Sequence, residues 1–118
     1  MKNIVTLNDR TLAVYFDEEI TLKTNKRVLA LCQAIDNLNL EAIYTVQHTY
    51  HMVAIHYNPD LIDESRLREY ITHLNLDYDR TECDEKVVRI PVLYDGPDLE
   101  RVAAHNGLSI EEVIDIHK

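Results

Sequence analysis

Leu12, Val14 and Phe16 alternate with Ala13 and Tyr15, the period-two pattern of a half-buried strand. The short apolar run Asn3 to Leu7 is placed to pair with it across Asn8-Asp9-Arg10, so the chain opens on a predicted hairpin. From Thr21 to Asn39 the period changes. Leu22, Val28, Leu31, Cys32, Ile35 and Leu38 recur every three or four residues, which predicts a helix with one apolar face and with Lys23, Lys26, Arg27 and Asp36 turned to water. Two strand-like runs follow, Ala42 to His48 and Met52 to Tyr57, close enough across Thr49-Tyr50-His51 to form an antiparallel hairpin. Asn58-Pro59-Asp60 breaks the second run. Asp63 or Ser65 then caps a helix whose inner face is Leu67, Tyr70, Ile71 and Leu74 and which closes near Asn75. A polar, acidic connector, Asp77 to Glu85, leads to a further apolar run, Val87 to Val92, read as a strand.

The core order is therefore strand, helix, strand, strand, helix, strand. That order predicts an α+β fold, a ferredoxin-like βαββαβ sandwich spanning Thr11 to Val92, with both helices on one face of a four-stranded antiparallel sheet. The amino-terminal run adds an extra strand. Beyond Tyr94 the logic is different: Pro97 suits the first turn of a helix, Asp98 puts negative charge at its positive end, and Asn106-Gly107 supplies the left-handed conformation that ends it. Ser109 with Glu112 three residues later is a capping box that opens a second short helix. The domain reading is 1–94 for the sandwich and 95–118 for a carboxy-terminal helix pair. The pair carries an apolar stripe of Leu99, Val102, Leu108, Val113 and Ile116 that two short helices cannot bury against each other, so a second copy of the chain, giving a homodimer, is one expected cover.

Charge narrows the partners. The 118 residues hold 12 Lys and Arg against 21 Asp and Glu, a formal net charge of −9, which repels phosphate backbones and anionic membranes. The helix pair has the outline of a helix-turn-helix, but its second helix would offer Glu111, Glu112 and Asp115 where base edges and phosphates call for Arg, Lys, Asn or Gln, so nucleic acid is not expected as a partner. No apolar run reaches the roughly 20 residues a membrane-spanning helix needs, and no charged-then-apolar leader precedes Val5. The expected setting is the cytoplasm, without a membrane partner.

Candidate chemistry is sparse. His48, His51 and His56 lie on or beside the central hairpin, but His48 and His56 sit on different strands and His51 falls in the turn, a spacing that does not favour a metal site. Cys32 and Cys83, 51 positions apart, fit no zinc spacing; Cys32 reads as a small core residue and Cys83 as an exposed thiol. There is no Gly-rich phosphate loop, nucleophile elbow or Cys-x-x-Cys, so no catalytic residue, metal site or cofactor is assigned to this chain.

Four stretches carry a resemblance. Leu7-Asn8-Asp9-Arg10-Thr11-Leu12 resembles a Gly-Asp-Arg-Ala-Leu turn with Asn8 in the glycine position. Thr49 to Pro59 resembles a Tyr-Arg-Ser-Leu-Leu-Val-His-Tyr-Asp-Pro string, with His51 where an arginine is common and Asn58 where Asp is common. Gly96-Pro97-Asp98-Leu99 and His105-Asn106-Gly107-Leu108-Ser109 match best. Together they resemble the amino-terminal half of the family known as allophanate hydrolase subunit 1, KipI or PxpB, the B-type subunit of 5-oxoprolinase. The resemblance implies a subunit of an ATP-dependent, multi-protein 5-oxoprolinase that opens a lactam to give glutamate. It also implies protein partner subunits, ATP handled by the complex, and continuation of residues 95–118 into a cyclophilin-like domain. On this reading the chain is a docking piece, non-catalytic alone, with His105 and Asn106 as weak substrate-binding candidates; the alternative is a KipI-like inhibitor that binds a sensor histidine kinase by contact.

Overall fold

The computed structural model describes residues 3–16, 19–76 and 86–118, in two compact units, Met1–Cys83 and Asp84–Lys118. The expected connector Asp77 to Glu85, with Cys83 in it, lies outside the described residues.

In the first unit the elements run β1 (Asn3–Asn8), β2 (Thr11–Tyr15), α1 (Leu22–Leu38), β3 (Ile43–His48), β4 (Met52–Tyr57) and α2 (Glu64–His73). The strands form one antiparallel sheet in the order β1-β2-β4-β3. In the central pair, Leu12 lies opposite Ile55 and Val14 opposite Val53. All four side chains are fully buried, and they share one cluster with Val28, Leu31 and Ile35 of α1 and Leu67 and Ile71 of α2. Both helices thus cover the same face of the sheet, as the single apolar face of each predicts.

Local chemistry explains where the helices begin and stop. The Thr21 side chain accepts from the Thr24 backbone N–H at the amino end of α1, and Asn39 closes the helix in the left-handed conformation with its N–H on the Asp36 carbonyl. One position departs from the sequence reading: Leu22 stands 76% exposed, and the buried residue of that first turn is Thr24, whose hydroxyl is bonded to Thr21. The first turn of α1 is held by its cap rather than by packing. At α2 the cap position is Asp63, with no side-chain cap bond.

The fourth strand of the sheet is β1, not the expected Val87 to Val92 run, and the ferredoxin-like order read from the sequence is not what the strands display. Residues 86–96 are in no strand or helix. The physical reasons are local. β1 and β2 are joined across Asp9-Arg10, where the Asn8 side chain accepts the Arg10 N–H at 2.9 Å, so their pairing closes a minimal loop; Val87 lies more than seventy residues further along, and Pro91 has no N–H to give a ladder. A clamp from α2 fixes the edge strand. Arg68 donates to the Ile4 carbonyl at 2.7 Å, to the Thr6 hydroxyl at 2.9 Å and to Glu64 at 2.8 Å, and the Thr6 hydroxyl donates to Glu64 in turn.

The second unit holds α3 (Leu99–Asn106) and α4 (Ile110–His117), as read from the sequence. Gly107 closes α3 at φ 66°, and the Ser109–Glu112 capping box opens α4 with both reciprocal bonds formed. The Tyr94 hydroxyl meets His117 Nδ1 at 2.9 Å, with the two rings edge to face. Only Ala103 is buried in these helices, and Val87, Val88, Ile90, Val92, Leu93 and Ile116 are all more exposed than covered.

The clamp generates a prediction. Bonds to Arg68 and Thr6 hold the Glu64 carboxyl below its usual range, so their contribution is present above the ordinary value of 4.5 and is lost as pH falls through the lower folded value. Arg68→Ala is expected to remove about 1–2 kcal/mol of protection from the β1 amides at pH 7, while the β3 and β4 amides keep theirs. Native-state hydrogen exchange checks it, and the difference between the two proteins is expected to shrink as pH falls through the Glu64 titration, leaving the part that rests on the Ile4 and Thr6 bonds.

Candidate functional site

Because Leu12, Val14, Val53 and Ile55 point into the core, Thr11, Ala13, Tyr15, Met52, Ala54 and His56 point to the other face of the sheet. Thr11 lies opposite His56, Ala13 opposite Ala54, and Tyr15 opposite Met52. On β3, Thr45 is opposite His56 and Gln47 opposite Ala54. This register sets His56 between two polar neighbours: its Nδ1 is 3.1 Å from the Thr11 hydroxyl and its Nε2 is 3.2 Å from Gln47 Oε1. With Gln47 accepting, Nε2 carries the proton and Nδ1 accepts from Thr11.

Hydroxyl, imidazole and amide stand in the order nucleophile, base and orienting group. Accessibility decides what they do. Thr11 is only 4% exposed, so its hydroxyl is not presented to a substrate, and the row works as a cross-strand tie on the open face of the sheet. At the far end of this face the rings of Tyr15 and His51 stand 6.3 Å apart, and the His51 carbonyl accepts the Phe16 N–H at 2.8 Å. His51 Nδ1 is buried with no hydrogen-bond partner.

The other residues singled out from sequence do not converge on one point. His48 is exposed on β3 opposite Val53, so its side chain and that of His56 leave the sheet on opposite faces. Among the described residues no group of three or more His, Cys, Asp or Glu side chains is arranged to hold a metal ion. Cys32 is half-buried on α1; burial, and secondarily the Asp36 carboxylate, push its thiol up to about 11, which leaves it almost wholly protonated at neutral pH. His105 and Asn106 occupy the last turn of α3, both exposed, and the Asn106 side chain donates back to the Val102 carbonyl at 2.8 Å. Thr11 and Gln47 are residues the sequence reading passed over. Only strand register brings them to His56, and a period-two pattern signals a face without signalling register.

Comparison with known proteins adds what the geometry does not. Residues 2–118 match the family described as carboxyltransferase domain, subdomain C and D. The chain belongs to this family. It is 32% identical to the B-type subunit of 5-oxoprolinase from Bacillus subtilis (strain 168), over 97% of this chain and 53% of that protein. It is 26% identical to the B-type subunit of 5-oxoprolinase from Escherichia coli O157:H7, over 94% of this chain and 51% of that protein. Among solved structures it resembles the conserved uncharacterized protein PH0987 from Pyrococcus horikoshii, with a TM-score of 0.60 and 30% identity over 98% of this chain and 54% of that one. It also resembles TTHA0988, with a TM-score of 0.69 and 32% identity over 92% of this chain and 21% of that one. This family member spans about half the length of the curated relatives it matches.

The cross-strand tie makes a spectroscopic prediction. Long-range ¹⁵N–¹H correlation at neutral pH is expected to show His56 in the Nε2–H form, and Thr11→Val, which removes the donor to Nδ1, is expected to destabilise the protein by about 1 kcal/mol. A dominant Nδ1–H form contradicts the assignment.

Proposed function

We propose that this chain supplies a partner-docking part of an ATP-dependent 5-oxoprolinase-type assembly in the cytoplasm, and that it is not catalytic alone. The observation that carries the reading is the apolar surface of the Asp84–Lys118 unit. Val87 and Leu93 are 84% and 81% exposed and Ile116 is 72% exposed, a density of uncovered apolar side chains that supports a docking role. Support comes from the relatives, which are named as a subunit of 5-oxoprolinase and match this chain almost from end to end. In the same reading, residues 95–118 begin a second, cyclophilin-like domain. The Met1–Cys83 unit is a variant of the ferredoxin-like plan in which β1 holds the edge that the plan gives to its last strand. In this reading the chemistry on the lactam and on ATP falls to partner subunits.

The test is reconstitution. The isolated chain is expected to show no 5-oxoproline-dependent ATP hydrolysis, and turnover is expected to appear only when it is combined with the other subunits of such an assembly. Ile116→Asp and Leu93→Asp are expected to weaken that combination without unfolding the first unit. Turnover by the isolated chain that a point substitution in it abolishes would overturn the reading. Contact inhibition of a sensor histidine kinase, with no gain of hydrolysis in any mixture, would replace it with the binding-inhibitor alternative.

A further inference from the structure

The sheet has two outer strands, β1 and β3, and they are guarded differently. An edge strand presents unpaired ladder groups that invite another strand, and proteins blunt such edges with charged side chains, prolines or bulges. At β1 the guard is a cation: Arg68 donates to the Ile4 carbonyl at 2.7 Å and to the Thr6 hydroxyl at 2.9 Å, with Glu64 held beside it. β3 reads Ile-Tyr-Thr-Val-Gln-His. It has no Asp, Glu, Lys, Arg, Pro or Gly, is rich in β-branched and aromatic residues, and carries one irregularity, between Ile43 and Thr45.

Its open backbone groups can be named. The Thr49 N–H bonds to the Met52 carbonyl, toward β4, and ladder groups alternate along an antiparallel strand. Gln47 and Thr45 therefore turn theirs to β4 as well, while Val46 and His48 turn theirs outward, where no described residue meets them. The side chains of Thr45, Gln47 and His48 are exposed.

Charge and register select the partner. The chain carries a net charge of −9, which holds copies of it apart. Ala42 to Pro59 is its longest run without Asp, Glu, Lys or Arg, so β3 is the edge along which two copies meet with least repulsion. Antiparallel pairing centred on Val46 sets Val46 against Val46 on the helix-covered side of the sheet and Thr45 against Gln47 on the open side, so like faces stay together. Gln47 Oε1 is committed to His56, which leaves the Gln47 amide N–H groups to donate to Thr45 of the second copy.

We infer that two copies of this chain associate through β3, antiparallel about a two-fold axis at Val46, joining their four-stranded sheets into one. A six-residue edge makes a contact of the small class that forms weak, transient complexes. The contact lies on the Met1–Cys83 unit and does not rest on the docking read from the Asp84–Lys118 unit.

Sedimentation and amide hydrogen exchange of the whole chain across a concentration series test it. A dimer is expected to grow in with concentration, and with it protection of the Val46 and His48 amides, which face solvent in the monomer. Thr45→Lys, an exposed change of the kind that guards natural edges, is expected to weaken association at least about tenfold. Gln47→Glu keeps an acceptor for His56; alone it is expected to weaken association, and combined with Thr45→Lys to restore it, because residue 45 of one copy meets residue 47 of the other. Ile116→Asp is expected to leave this association unchanged. A chain that stays monomeric at millimolar concentration overturns the inference. So does association that protects residues 87–118 and leaves the Val46 amide open, or a double variant that associates no better than Thr45→Lys alone.

Discussion

The antiparallel pairing of β2 with β4 is the constraint on which the first unit depends. It sets Leu12 against Ile55 and Val14 against Val53 on one face, and Thr11 against His56 on the other. A slip of one residue would turn the core side chains outward and bring the polar row into the core. Both helices dock on the apolar side of this pair, β1 and β3 extend it on either flank, the end of β4 is tied to the β1–β2 turn by the bond from the Tyr57 N–H to the Arg10 carbonyl, and the residue after it is tied to the start of β3 by the bond from the Asn58 N–H to the Ala42 carbonyl. Truncation of a fully buried aliphatic side chain at such a centre typically costs about 2–5 kcal/mol, a large share of a domain's stability.

Much of this was legible along the chain. Where a local signal and a tertiary requirement coincide, sequence and structure agree: Thr21 and Asn39 bound α1, Gly107 closes α3, Ser109 and Glu112 box α4, and Asn8-Asp9-Arg10 turns the first hairpin. The failures share one cause. Val87 to Val92 has the composition of a strand, but a strand needs an edge, and the edge beside β2 is held by a segment that closes a far shorter loop. Leu22 has the composition of a core residue, yet in the capping turn of α1 it is Thr24 that takes the buried place. In both cases the pattern states what a segment is able to do, and competition for space decides whether it does so.

The functional residues were less legible for the same reason. His56 stands out in the sequence, whereas Thr11 and Gln47 become its partners only through register. His105 and Asn106 belong to a string that carries the family resemblance, and the bond from Asn106 to the Val102 carbonyl gives that string a structural use in ending α3. The physical picture is a well-packed sandwich that organises surfaces, joined in sequence to a unit rich in uncovered apolar side chains.

The account turns on which segment owns the sheet edge beside β2. Nuclear Overhauser contacts between backbone protons of β2 and its outer neighbour settle the point most directly. The structure predicts contacts pairing Val5 with Ala13 and Thr6 with Leu12. Contacts from Leu12 and Ala13 to residues 87–92 in their place would contradict it.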